Sequence, residues 1–304
     1  MKHTLKATIT LVLFFFLAQL TGLLIVNQYI DHQKTAETQT VAYRPLPYNL
    51  ERPEVENQST SFIYVMVSIL VGTGLLLLII KTNKPLFWKM MFFISVLFTL
   101  TIAFSAFMNQ YIAGILALAI AVLKLHKPNM LIQNLSEIFI YGGLAAFVVN
   151  IFNLFAAFAL LIAVSIYDYI SVYKTRHMIK LAKFQSKSEV FAGLAIPYES
   201  GKSQAKEKHA VKAGKAEHRK SMAILGGGDI GFTLIFAGVV MKGLMLKEAV
   251  FIGFLKTLII PVFVTLALLV LLFKGEHGKF YPAMPVLSLG CFVGYFIVLL
   301  VSLV

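Results

Sequence analysis

Long apolar runs recur along the whole chain, and they constrain its fold more than any other feature of the sequence. A run of about 17 to 25 apolar residues crosses the hydrocarbon core of a bilayer as a helix, and a helix satisfies its backbone hydrogen bonds internally, as lipid requires. We count nine runs, of which the fourth is short: 7–30, 61–80, 85–108, 111–123, 131–149, 151–173, 221–241, 249–273 and 280–304. The sequence therefore predicts an all-α, polytopic membrane protein with about nine transmembrane helices.

The composition excludes the main soluble classes. Hydrophobic residues make up 59% of the chain and charged residues 13%, about half of the roughly 25% that is usual in soluble proteins. The single cysteine, Cys291, excludes a disulfide framework and a multi-cysteine metal cluster, and no base that would activate its thiol is visible nearby. The seven histidines lie in polar segments without metal-ligand spacing. We therefore predict neither a metal site nor a cofactor.

Lysine and arginine are distributed unevenly between the two sides of the predicted bundle. If the runs cross the bilayer alternately, 21 of the 27 cationic residues lie on the side of the N-terminus, five lie on the other side, and Lys256 lies within a span. Cytoplasmic loops carry the excess of positive charge in membrane proteins. The N-terminus and the 174–220 loop are therefore predicted to be cytoplasmic, and the C-terminus to lie outside.

The 174–220 loop divides the chain into an N-terminal six-helix part (1–173) and a C-terminal three-helix part (221–304). It carries twelve Lys and Arg residues against four Glu residues, without the interleaved aromatic residues that would favour nucleic acid, so attraction to anionic lipid headgroups is the preferred interpretation. Its stretch 202–220 is predicted to be disordered. The apolar stretch 190–198 is either an interfacial flap or a continuation of the sixth span, and the sequence leaves both open.

Two of the three aspartates lie inside apolar runs. Asp31 lies in a polar stretch, whereas Asp168 and Asp229 are intramembrane, where a carboxylate at mid-helix costs about 2.5–3.5 kcal/mol and marks a candidate functional site. Counted along the helices, they lie roughly 8 Å and about 12 Å from the same end of the bundle. If they face each other, repulsion and desolvation make them share one proton near neutral pH. Aspartic proteases need such a pair as acid and base.

The buried acids are also compatible with an ion pair or with ion transport. A single buried acid often forms an ion pair, and Lys256 and Glu137 are candidate partners in the neighbouring runs. Alternatively, Lys256 extends toward the outer face, and Glu137 pairs with a nearby lysine or with loop backbone rather than tuning the aspartates. A proton- or cation-coupled transporter or a leak channel also uses membrane carboxylates. The matched depth of two acids on consecutive runs favours the pair.

Two short motifs accompany the aspartates. Gly226, Gly228 and Asp229 form GxGD. A chain of this length and composition would contain this motif by chance only about 0.01 times. Glycines before the acid allow another backbone to approach closely. The ninth run begins with PAMP, formed by Pro282, Ala283, Met284 and Pro285. Two prolines interrupt helical hydrogen bonding and leave backbone groups free, although prolines at a helix start also simply end a loop.

The order Tyr167–Asp168, GxGD and PAMP over nine spans resembles the presenilin and signal peptide peptidase family of intramembrane aspartyl proteases, and the compact chain looks most like archaeal presenilin homologues. The resemblance implies a catalytic dyad of Asp168 and Asp229 that needs no cofactor. It also implies residues that shape the dyad or bind substrate, namely Tyr167, Gly226, Gly228, Pro282, Ala283, Met284 and Pro285. Met284 replaces the usual leucine, a change that nearly conserves volume. Prepilin peptidase-like enzymes share GxGD, but we expect other flanking residues and no PAMP there.

The resemblance also implies a substrate class. We expect hydrolysis of peptide bonds within or near the transmembrane helices of membrane proteins, with those helices and the lipid bilayer as partners and no nucleic acid. A second copy of the chain is a further candidate partner. The predicted orientation is that of presenilin and the inverse of signal peptide peptidase, which favours substrates whose N-terminus lies outside.

Overall fold

The structure, a computed structural model, describes residues 4–82, 85–126, 129–175, 181, 184, 191–198, 221–275 and 281–303. Within these residues, eight helices are long and apolar enough to cross a membrane. The fourth predicted run is helical as well but shorter, with 17 residues. The prediction of an all-α polytopic membrane fold is confirmed. The predicted disorder of 202–220 lies outside the described residues.

The helices follow the predicted runs closely. Their bounds are α1 Leu5–Tyr29, α2 His32–Thr38, α3 Ser61–Thr82, α4 Pro85–Ser105, α5 Gln110–His126, α6 Met130–Val148, α7 Leu154–Tyr169, α8 Gly227–Leu244, α9 Val250–Thr257, α10 Ile259–Lys274 and α11 Met284–Ser302. Side-chain caps fix several starts: Thr4, Asn129 and Asn153 accept backbone N–H groups of the first turns of α1, α6 and α7. A π-helical turn, Ile170–Lys174, extends α7.

Two predicted runs are not single helices. Residues Ser221–Gly226 form a strand, β2, so the prediction that the seventh span begins at 221 is wrong. The eighth run breaks at Leu258 into α9 and α10. The strand forms because the three glycines 226–228 are poor helix formers and because a partner strand is present. That partner is β1, Gly193–Tyr198, which pairs antiparallel with β2 from Gly193↔Gly226 to Tyr198↔Ser221. Part of the apolar stretch 190–198 is therefore a strand, and neither alternative from the sequence describes it fully.

The segment between α1 and α3 covers the end of the bundle opposite to the hairpin. A β-bridge joins Ile30 to Tyr43. The Arg52 guanidinium lies over the rings of Tyr29 and Tyr43, 5.3 and 5.0 Å from their centroids. It also donates a hydrogen bond to the Ala146 carbonyl oxygen at the end of α6. These contacts tie the segment to α1 and α6, the two helices at the centre of the bundle.

Small residues allow the central helices to approach closely, as is usual in membranes. Gly22 of α1 lies against the Leu234 side chain of α8, and Gly142 of α6 lies against Ile25 of α1. Gly143, on the other side of α6, lies against the Thr99 backbone of α4. Helix α6 is thus enclosed by α1, α4 and α8, whereas only 6% of the α3 span is buried.

We predict that Gly143→Ala destabilises the protein because its methyl group would overlap the Thr99 carbonyl, a backbone atom that cannot move alone. Overpacking of this kind costs about 1–3 kcal/mol of unfolding free energy. Gly74→Ala in α3 is the matched control because nothing lies within 4 Å of the added methyl group. Thermal unfolding in detergent micelles measures both. Equal melting temperatures for the two variants would contradict this packing.

Candidate active site

Three helices that carry the predicted site residues meet around one phenylalanine. The ring of Phe158 in α7 lies 5.0 Å from the rings of Phe236 in α8 and Phe292 in α11. The hydroxyl groups of Ser165 and Ser288 are 2.9 Å apart. From the phenylalanine contact to the serine contact, residue numbers rise along α7 and fall along α11, so the two helices run in opposite directions. Helices α8 and α11 run in the same direction, because the chain crosses the bundle once between them, through α9 and α10. The cluster therefore provides a common level from which depth along all three helices can be counted.

Counted from that level, the two aspartates lie at similar depths. Asp168 is ten residues from Phe158, or about 15 Å, and Asp229 is seven residues from Phe236, or about 10 Å. Met284 is eight residues from Phe292, about 12 Å in the same direction. The spread is about one helical turn. The predicted match in depth thus agrees with the helix register, although Asp229 lies in the first turn of α8 and not deep within a helix. That the two carboxyls pair stays a prediction.

Asp168 is held by the start of α11. Its side chain is buried, 8% exposed, and its Oδ2 atom accepts a hydrogen bond of 3.1 Å from the Met284 backbone N–H. The neighbouring Ala283 amide interacts with the same carboxylate. Pro285 lies in the first turn of α11, where its missing N–H costs nothing. The PAMP segment therefore both starts a helix and supplies donors to Asp168, and the positive end of the helix dipole favours the carboxylate charge.

Asp229 lies in the first turn of α8, directly after the hairpin. Gly226 is the N-cap of this helix, and a methyl group there would contact the Asp229 carboxylate at 3.4 Å. Gly228 is exposed, and a methyl group would meet only the Phe232 ring. The middle glycine, Gly227, is the crowded one, because the Tyr141 ring and hydroxyl occupy the space that a side chain would need. Its N–H donates to the Ala192 carbonyl oxygen at 3.2 Å.

A buried polar network of α5 and α6 lies beside this turn. The Lys124 ammonium is 2.5 Å from the Glu137 carboxylate, and the Tyr141 hydroxyl donates to the same carboxylate. Gln133 donates to the carbonyl oxygens of Phe191 and Gly193, and Asn134 binds both backbone groups of Ala195. The prediction that Glu137 pairs with a nearby lysine is confirmed, with Lys124 as the partner.

The remaining predicted residues have other contacts. The Tyr167 hydroxyl lies 2.9 Å from the Thr73 hydroxyl and so connects α7 to α3. Lys256 is hydrogen-bonded to Glu248 at 2.7 Å and to Ser302 at 3.3 Å. Glu137 and Lys256 therefore have partners other than the aspartates, so an ion pair of Lys256 with an aspartate and a carboxyl pair of Glu137 with an aspartate both lose their support.

Sequence reasoning missed Gly227 and the part of the network that touches it. Tyr141 and Gln133 lie in an apolar run, Gln133 beside Asn134, and only their spacing from Glu137 is a signal. Gln133, Glu137 and Tyr141 follow one another at intervals of four, which places them on one face of a helix.

Comparison with known proteins extends the sequence resemblance to most of the chain. Residues 45–304 match the family model described as "Signal-peptide peptidase, presenilin aspartyl protease". Two similar solved structures, both of a presenilin family intramembrane aspartate protease, were determined in P2 and C222 space groups. Both have a TM-score of 0.58. The first is 18% identical and the alignment covers 96% of this chain and 97% of that one; the second is 17% identical and covers 95% of each. A search of curated proteins found no match.

We predict that Gly227→Ala lowers the thermal unfolding temperature, whereas Gly228→Ala leaves it nearly unchanged. The first substitution forces Tyr141 away from Gly227, and the second requires only a small shift of the Phe232 ring. Melting curves of the purified full chain in one detergent compare the two neighbouring positions directly. A Gly228→Ala variant that melts as low as Gly227→Ala would be inconsistent with this arrangement of the glycine turn.

Proposed function

The chain belongs to the signal-peptide peptidase and presenilin family of aspartyl proteases, and from this premise we propose that it hydrolyses peptide bonds within or near transmembrane helices with Asp168 and Asp229 as its GxGD-type catalytic dyad. It is an integral, multi-pass membrane protein. Family membership favours this activity over the transporter and leak-channel alternatives. The archaeal character inferred from the compact chain stays a prediction.

The convergence of three sequence motifs on one end of the bundle carries the proposal. Asp168 is buried and bound to the backbone of the PAMP segment, and the aromatic cluster of α7, α8 and α11 supports a similar depth for Asp229. Three separate motifs of the sequence thus converge on one end of three packed helices. A purely structural role for the aspartates explains neither their common depth nor the use of a helix start as a partner for Asp168.

The proposed chemistry is acid–base hydrolysis. One aspartate, ionised, takes a proton from water, and the water oxygen adds to the scissile carbonyl carbon. The other aspartate, protonated, gives its proton to the carbonyl oxygen, so that a neutral tetrahedral diol forms. The first aspartate then returns its proton to the amide nitrogen while the second takes a proton from a diol hydroxyl, so that the C–N bond breaks and the amine and carboxylic acid are released. Each aspartate alternates between acid and base, and no cofactor takes part.

The hairpin suggests how a substrate is held. A helical peptide bond is shielded by its own hydrogen bonds, so cleavage requires local unwinding. An extended stretch can then add to a sheet edge by backbone hydrogen bonds. Asn134 already binds both backbone groups of Ala195 on β1, which leaves the outer edge of β2 for the substrate strand. The PAMP backbone would bind beside it.

The proposed orientation follows the excess of cationic residues on the side of the N-terminus. The hairpin end, which carries Asp168 and Asp229, would then face the cytoplasm. Substrates would be helices with an outer N-terminus that are cut near their cytoplasmic end, and the C-terminus of the chain would lie outside.

We predict that Asp168→Asn and Asp229→Asn each reduce cleavage by at least about 1,000-fold, because a single carboxyl cannot act as both acid and base. The double variant should be no slower than either single variant, as expected for residues that act as a unit. Asp31→Asn is the matched control, because Asp31 caps α2 outside the long helices and asparagine caps equally well. Turnover of a single-span reporter peptide in proteoliposomes provides the measurement. Retained cleavage in either single variant would refute the dyad.

We also predict that an epitope tag inserted in 202–215 is protected from external protease in sealed spheroplasts, because the 174–220 loop carries twelve of the 27 Lys and Arg residues and most of the net positive charge. A tag attached after residue 304 should be digested under the same conditions. Digestion of the loop tag with protection of the terminal tag would reverse the proposed orientation.

A further inference from the structure

The Lys124–Glu137 ion pair is buried more completely than stability requires. The two side chains are 3% and 1% exposed, and the lysine ammonium also donates to the Ser136 hydroxyl at 2.9 Å. Bringing two charges out of water costs several kcal/mol for each ion, and an apolar pair of similar volume is often at least as stable. A membrane helix that keeps such a pair therefore uses it for something other than stability alone.

The Glu137 carboxylate serves as a common acceptor for three donors. Lys124 and Gln133 donate to its Oε1 atom at 2.5 and 3.0 Å, and the Tyr141 hydroxyl donates to its Oε2 atom. Gln133 also donates to the carbonyl oxygens of Phe191 and Gly193, at 2.8 and 2.9 Å. The carboxylate thus fixes two side chains of α6, one of which binds the start of β1.

The other side chain, Tyr141, lies against the turn that carries Asp229. Its hydroxyl and ring fill the space beside Gly227, and its ring is 3.7 Å from where a methyl group on Gly231 would be. Asp229 lies between these two glycines in sequence, and its carboxylate is close enough to Tyr141 to interact electrostatically. Tyr141 is buried, and its hydrogen bond to Glu137 helps to fix the position of its hydroxyl.

We propose that Glu137, held by Lys124, orients Tyr141, and that Tyr141 in turn fixes the first turn of α8 so that Asp229 keeps its reactive orientation. Glu137 and Tyr141 are positioning residues, and the inference rests on the proposed catalytic role of Asp229. A displacement of about 1 Å at a reacting group costs up to about 100-fold in rate. Loss of the Tyr141 hydroxyl therefore lowers kcat, while KM changes little because the substrate-binding edge of β2 is retained.

Tyr141→Phe in the full chain tests this proposal. The probe is a synthetic single-span peptide, a polyleucine helix with a central Gly-Gly pair and a fluorophore and quencher at its ends. We expect kcat to fall roughly 10- to 100-fold with KM within about twofold. Tyr29→Phe is the matched control, because it also removes a buried hydroxyl, one that donates to the Ile102 carbonyl oxygen at 2.7 Å at the other end of the bundle. Equal kcat values for the two variants would overturn the proposal.

A second pair of variants separates positioning from charge. In a Lys124→Met background, which removes the buried cation, Glu137→Gln keeps an oxygen that accepts from Tyr141, and Glu137→Leu does not. We expect kcat in the Glu137→Gln double variant to exceed that in the Glu137→Leu double variant, which should show at least the loss seen for Tyr141→Phe. Equal kcat in the two double variants, at equal melting temperature, would mean that the network is only structural.

The aspartate variants distinguish the two proposals. If Asp168→Asn and Asp229→Asn still cleave the same peptide, the dyad is wrong and the positioning role falls with it. If both are inactive while Tyr141→Phe keeps its full kcat, only the positioning role fails.

Discussion

A carboxylate inside a membrane protein must be given hydrogen-bond donors by the protein, because lipid supplies none. The described part of this chain meets that constraint in different ways at Glu137 and Asp168. Glu137 receives a lysine and two neutral donors from α5 and α6. Asp168 receives backbone N–H from the start of α11. At Glu137 a lysine balances the negative charge. At Asp168 no cation lies within salt-bridge distance among the described residues, and this would suit the proposed gain and loss of a proton.

The change from strand to helix at Gly226 and Gly227 is the second constraint on the site. A side chain at Gly193 would be strained, because its φ of 142° lies in the region that only glycine adopts readily, and Gly227 has no room for one beside Tyr141. Gly193 therefore serves the hairpin itself, where a side chain would also meet the Leu225 carbonyl oxygen, and Gly227 serves close packing between the hairpin and α6. Gly226 and Gly228 of the GxGD motif are less crowded, so their contribution is open space around Asp229 instead of close approach.

The sequence predicted the parts of the fold that depend on local composition. Apolar runs predicted each of the eight membrane-length helices of the described residues, because burial in lipid needs only length and hydrophobicity. They failed at 221–226, where the residues are apolar but pair with β1, a contact with a segment more than 20 residues away that no local pattern contains. Asp168 and PAMP were recognised separately, yet the hydrogen bond from Met284 joins residues 116 positions apart. Lys124 was counted only as a loop charge, because its partner Glu137 becomes visible only when α5 and α6 fold against each other.

The position of the aspartates near helix ends bears on the proposed chemistry. Asp168 lies two residues before a π-helical turn, and only Gly227 and Gly228 separate Asp229 from the end of β2. Acids near helix ends can receive water from one face of the bilayer, whereas acids at its centre would need a channel. The same location favours cleavage near the end of a substrate helix, where fewer backbone hydrogen bonds must be broken to expose a peptide bond. In the proposed mechanism, the hairpin would supply backbone partners for that exposed stretch at the same level. In the proposed mechanism, water supply, helix unwinding and acid–base chemistry can therefore all occur at one end of the bundle. A site in the middle of the membrane would need a channel for water.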